Sequence, residues 1–128
     1  MTAAGGPRAL IVEDRPFVAM VISDVLREAG FEGVHAFDCP EALRILESSP
    51  DIGLAVIEAE LPQCEGCSGM DLAQAIARLR PDVPIVVTVA GGDIPAGALP
   101  RGARLLRKPF ASAELRALVG GLSLLEEA

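Results

Sequence analysis

Hydrophobic positions along this chain follow two alternating rhythms. Short solid runs, such as Ala9-Leu10-Ile11-Val12 and Ile85-Val86-Val87-Thr88-Val89, are separated by longer stretches in which apolar residues return every three or four positions. A short solid run predicts a strand buried on both faces, and the wider spacing predicts a helix with one apolar side. After the first run, Phe17, Val21, Val25 and Ala29 form a helical stripe, with Val18, Ile22 and Leu26 beside it. Pro16 suits the first turn of that helix and Gly30 its end.

The alternation continues to the end of the chain. Gly33-Val34-His35-Ala36-Phe37 is of mixed polarity, as expected of a strand at a sheet edge. Asp38 followed three residues later by Glu41 is a capping arrangement, and the helix it opens carries Leu43, Ile45 and Leu46. Leu54 to Ile57 is a third strand, and Met70, Leu72, Ala73, Ile76 and Leu79 mark a third helix that stops before Pro81. Residues 85 to 89 are a fourth strand and 103 to 107 a short fifth. The last helix starts near Ser112 and carries the stripe Leu115, Leu118, Leu122 and Leu125, with Gly120-Gly121 expected to weaken or end it. Between the fourth and fifth strands, Ala90 to Gly102 holds two prolines and four glycines, so any helix there is expected to be shortened or irregular.

Strands alternating with helices predict an α/β fold: a doubly wound, five-stranded parallel sheet in the flavodoxin-like order 2-1-3-4-5. Sites in such sheets form beyond the carboxyl ends of the strands, where the strand order reverses. That rule points to Glu13, Asp14 and Glu58. The expected organisation is a flexible 1–7, one domain over 8–122 and a tail over 123–128.

Composition narrows the function. At 128 residues and 51% hydrophobic, the chain fits one domain with a core that needs no disulfides. Its net charge of −7, four Phe and lack of Trp and Tyr argue against a nucleic-acid surface. No apolar run approaches the ~20 residues that span a bilayer. The start, Met1 to Pro7, has neither the basic nor the apolar part of a signal peptide, so a cytoplasmic protein is expected. The cysteines are Cys39, Cys64 and Cys67, an odd number that does not suggest a disulfide framework. Cys64-Glu65-Gly66-Cys67 has C-x-x-C form without a second pair, which leaves ordinary loop cysteines ahead of a thiol or zinc site. His35, the only histidine, is expected at the surface with no catalytic role.

At the strand ends, Glu13-Asp14, Glu58 and Lys108 would converge on one edge of the sheet. A carboxylate cluster suits a hard cation such as Mg²⁺ or a set of ion pairs, and the lysine offsets the negative charge.

Four segments then carry a resemblance: Leu10-Ile11-Val12-Glu13-Asp14, Glu58-Ala59-Glu60-Leu61-Pro62, Pro84-Ile85-Val86-Val87 and Arg107-Lys108-Pro109-Phe110. Over about residues 8 to 120 the chain resembles the receiver domain of two-component response regulators. The resemblance implies that Glu13 and Asp14 match the acidic pair that binds Mg²⁺, and that the carbonyl of Glu60 completes the metal site together with Glu58. It further implies that Lys108 contacts the phosphoryl group and that Pro109 is the proline, often cis, that follows it.

Three departures set the chain apart. Glu58 stands where the family has its phosphoacceptor aspartate, and its carboxylate lies about one bond further out, which spoils in-line transfer. The switch Ser or Thr position, five residues after Pro84, is Val89; Thr88 next to it is expected on the opposite face of the strand. The aromatic switch position, three before Lys108, is Leu105.

The expected function is a stand-alone, atypical receiver, not an enzyme. It would act as a protein-interaction module without normal Asp phosphorylation. Its partners would be signalling proteins, such as a histidine kinase, another regulator or a second copy of the chain, with no nucleic acid or membrane. The alternatives are an active phosphorelay receiver with an unexpected acceptor and a thiol or metal module on the Cys64–Cys67 loop.

Overall fold

The computed structural model describes residues 7–61, 68–91, 94 and 97–127. Five strands and four helices follow one another as β1 (Arg8–Val12), α1 (Pro16–Glu28), β2 (Glu32–Ala36), α2 (Cys39–Ser48), β3 (Ile52–Glu58), α3 (Gly69–Leu79), β4 (Ile85–Val89), β5 (Arg104–Arg107) and α4 (Ser112–Glu127). The strands form one sheet in the order β2-β1-β3-β4-β5, and every pairing is parallel. This is the expected flavodoxin-like, doubly wound sheet.

Strand alternation divides the core into two layers. Leu10, Val12, Ala55, Ile57, Val87 and Val89 pack under α2 and α3 with Ala42, Leu46, Leu72 and Ile76. Ala9, Ile11, Leu54, Val56, Val86 and Leu106 pack under α1 and α4 with Ile22, Leu26, Leu115 and Val119. Because β1, β3 and β4 are covered on both sides, their sequences are nearly continuous apolar runs.

Local chemistry sets the helix boundaries. Pro16 occupies the first turn of α1, and Gly30 beyond its end has φ of 97°, the left-handed conformation that glycine allows. Asp38 caps α2 by accepting the Glu41 N–H at 2.9 Å, while the Glu41 carboxylate accepts the Phe37 N–H at 2.8 Å. Ser68 and Asp71 make a reciprocal capping box at the start of α3.

The structure departs from expectation in two places. Phe17 does not belong to the buried stripe of α1 and is 72% exposed, since it lies two positions, about 200° of helix rotation, from the buried Ala19. Gly120 and Gly121 do not end α4, which continues to Glu127. Glycine lowers helix propensity without barring the helix, and the preceding turn is anchored by the buried Leu115 and Val119. Between β4 and β5, where the prolines and glycines led to the expectation of a shortened or irregular element, no helix occurs among the described residues. The distal stripe residues Leu122 and Leu125 have side chains outside the described residues, as do Pro62, Cys64 and Cys67 altogether.

Candidate functional site

The strand order reverses between β1 and β3, and there the carboxyl ends of β1, β3 and β5 bring three charged side chains together. Glu13 follows β1, Glu58 is the last residue of β3, and Lys108 follows β5. The Lys108 ammonium lies 3.0 Å from Glu13 Oε1 and also pairs with Glu58 Oε2. All three are withdrawn from solvent: the side chains of Glu13, Glu58 and Lys108 are 1%, 5% and 12% exposed.

The remaining carboxylate oxygens are also engaged. Glu13 Oε2 accepts the Arg15 N–H at 3.1 Å, and Glu58 Oε1 accepts the Glu60 N–H at 3.3 Å. Two carboxylates thus share one ammonium. Burial pushes the Glu13 carboxyl above its ordinary pKa, although the hydrogen bonds from Lys108 and Arg15 oppose the shift. Burial also works against the charged lysine, but its hydrogen bonds to Glu58 and Glu13 outweigh this and hold Lys108 above its ordinary value.

The backbone fixes these positions. Lys108 donates its N–H to the Val89 carbonyl at 2.7 Å, and the Lys108–Pro109 peptide bond is cis. Glu13 donates its N–H to the Ala36 carbonyl at 3.2 Å. His35, expected as a plain surface residue, is half-buried; its Nε2 donates to the Glu13 carbonyl at 2.7 Å and its ring lies 4.1 Å from that of Phe37. Sequence reasoning missed this role. The pairing of β1 with β2, which places Ile11 opposite His35, is the signal that could have found it.

Gly69 was missed as well. It opens α3 so close to the end of β3 that a Cβ there would sit 1.7 Å from the Glu58 carbonyl oxygen. Glycine is therefore required by proximity rather than by φ. The Ser68–Asp71 capping box was the readable sign of a helix start beside the site.

The other expected residues are arranged differently. Thr88 is the β4 register partner of Glu58, so the two share the α1/α4 face. Val89 instead packs in the α2/α3 layer, and Leu105 packs against that layer too. The hydroxyl on Glu58's side of the sheet is therefore that of Thr88, contrary to the expectation from counting positions after Pro84. It is buried and has no hydrogen-bond partner among the described residues. Asp14 is half-buried and makes no ion pair among the described residues, and Glu60 is exposed. Cys39 is buried, with Sγ 3.9 Å from the Ser68 carbonyl.

No group of three acidic, histidine or cysteine side chains is placed to hold a metal among the described residues. Glu13, Asp14, Glu58 and the Glu60 carbonyl lie at one edge, but the two buried carboxylates point at an ammonium. In this arrangement the donor set does not fit Mg²⁺.

Comparison with known proteins agrees with the fold. Residues 9–120 match the model of the response regulator receiver domain, and the chain belongs to that family. It is 36% identical over 118 residues to the transcriptional regulatory protein PdtaR of Mycobacterium tuberculosis, covering 88% of this chain and 55% of the relative. It is 31% identical over 110 residues to the chemotaxis protein CheY of Thermotoga maritima, covering 82% and 88%. The receiver domain protein of Methanospirillum hungatei shares the fold with a TM-score of 0.81 at 22% identity, over 95% of this chain and 97% of that one. The chain spans about half the length of several regulators it matches. It is a receiver domain of two-component signalling; such domains are generally non-enzymatic, pair with kinases and other regulators, and typically bind Mg²⁺ at the acceptor site. Among the described residues no helix is long and apolar enough to cross a membrane.

Proposed function

We propose that this receiver is a phosphorylation-independent interaction module, read by a signalling partner through its protein surface. The carrying observation is the Glu58 carboxylate: buried, one oxygen on Lys108 and the other on the Glu60 N–H. A phosphoacceptor needs an oxygen free to attack along the line of the leaving group, and transfer is sensitive to displacements of about 1 Å. Glu58 is longer than aspartate by one methylene and already committed. Its negative charge on Lys108 imitates part of a phosphoaspartate, with less charge and fewer acceptor oxygens.

The module works in the cytoplasm and contacts a histidine kinase, another regulator or a second copy of itself; it binds neither nucleic acid nor membrane. The test is incubation with acetyl phosphate and Mg²⁺, followed by intact mass spectrometry. The expected result is an unmodified chain. A base-labile phosphoryl adduct mapped to Glu58 or a neighbouring carboxylate overturns the reading. The second reading, transfer onto an unexpected acceptor, is decided by the same experiment. Substituting Glu58→Gln removes the charge while keeping the shape. Partner affinity should change if the charge imitates phosphate, and an unchanged affinity rejects the mimicry.

A further inference from the structure

We infer that the Lys108 ammonium is a built-in counter-ion standing in for a divalent cation, so that the pocket binds metal only when that ammonium is withdrawn. The inference deepens the reading above without depending on it, since a domain that takes no phosphate could still hold Mg²⁺.

Charge is the first argument. Glu13 and Glu58 contribute two negative charges from positions nearly closed to water, and such carboxylates need a positive neighbour. Lys108 supplies one to both, at 3.0 Å from Glu13 and in direct contact with Glu58. Occupancy is the second. Both oxygens of each carboxylate already accept a hydrogen bond, two from the ammonium and two from the backbone N–H groups of Arg15 and Glu60. Magnesium demands near-ideal octahedral oxygen geometry at about 2.1 Å and keeps several waters. Entry would therefore strip the ammonium from its partners and leave a largely buried lysine beside a divalent ion. The third is reach. Glu58 ends its strand with the longer of the two acidic side chains, and that length carries its carboxylate onto Lys108 instead of leaving it for a cation. With the ammonium gone, Glu13, Glu58, the adjacent Asp14 and the Glu60 carbonyl remain as an oxygen-rich edge.

The test uses the full chain, isotope-labelled for amide NMR, with Mn²⁺ as a paramagnetic probe and Mg²⁺ as a diamagnetic one. Wild type should show no site-selective broadening or saturable shift at residues 13–15 and 58–61. Lys108→Met should gain selective Mn²⁺ broadening there, reversed by EDTA, with affinity at least about tenfold above wild type. If Lys108→Met does not fold, Lys108→Gln decides: it removes the ammonium charge while keeping a polar side chain that can still donate to the carboxylates, and should gain the same response. Thermal unfolding gives an independent readout, because a ligand that binds only the folded state raises Tm. Mg²⁺ should raise Tm in the variants and leave wild type unmoved. Wild type broadening as strongly as the variants, or folded variants remaining blind to both ions, overturns the inference. Neither outcome bears on the mass-spectrometric test of phosphorylation, so the two readings can fail separately.

Discussion

Each carboxylate oxygen of the Glu13–Lys108–Glu58 cluster meets a donor, while across one strand pairing the Thr88 hydroxyl meets none among the described residues. These two facts predict opposite responses to substitution. A buried hydroxyl left unpaired costs about 1–3 kcal/mol of desolvation. Thr88→Val, which keeps the branched shape, should leave stability unchanged or raise it by about 1 kcal/mol in urea unfolding. A clear loss would mean that the hydroxyl is satisfied. Glu58→Gln should instead destabilise by about 1–3 kcal/mol, because the ammonium loses one of its two charged partners in a buried setting. The presence of Thr88 on this face was illegible from residue counting. Position along a strand gives the alternation of faces, but only the pairing of β4 with β3 says which face Glu58 and Thr88 share.

At the scale of elements, the junction of β3 with α3 is the tightest constraint around the site. Gly69→Ala would drive a methyl into the Glu58 carbonyl, a backbone atom that cannot swing aside. The expected cost is about 3 kcal/mol, measured by urea unfolding, with displaced amide shifts at Glu58 and Ala59. The glycines of α4 should behave in the opposite way. A Cβ at Gly120 or Gly121 meets nothing within 4 Å, and neither has positive φ. Either Gly→Ala change should stabilise by about 0.5–1 kcal/mol, since alanine gives up less backbone entropy in a helix. The continuation of α4 through this pair shows where propensity misleads: two weak positions do not stop a helix whose previous turn is anchored in the core.

At the scale of the whole molecule, surface ion pairs tie the amino ends of the sheet to their neighbours. Arg8 at the start of β1 pairs with Asp51 at 2.9 Å, and Arg80 after α3 pairs with Asp82 at 3.1 Å. Hydrogen bonds from these arginines hold both carboxyls below the ordinary aspartate value. A depressed pKa in the folded state means that the unfolded chain binds protons more readily. Their contribution is therefore complete above the unfolded aspartate pKa and disappears as pH falls through the folded values. Tm should decline modestly on acidification below the ordinary aspartate range, and less so at high salt, because both aspartates are exposed and screened. Arg8→Gln should return the Asp51 titration, followed by NMR, toward its ordinary value.

The sequence by itself determined the alternation of strands and helices, the parallel order 2-1-3-4-5 and the location of the charged residues at the carboxyl edge. These follow from local quantities: hydrophobic period, capping residues such as Asp38 and Ser68, and the requirement that both faces of a parallel sheet be covered. Tertiary structure decided what the charged residues do there. Whether Glu58 faces a metal, a phosphoryl group or Lys108 depends on side chains 50 residues apart meeting at 5% and 12% exposure. Tertiary structure also decided the need for glycine at position 69 and the attachment of His35 to Glu13, both set by how closely separate elements approach. Periodicity reports which face of an element is buried, whereas distances between elements arise only when the sheet has assembled.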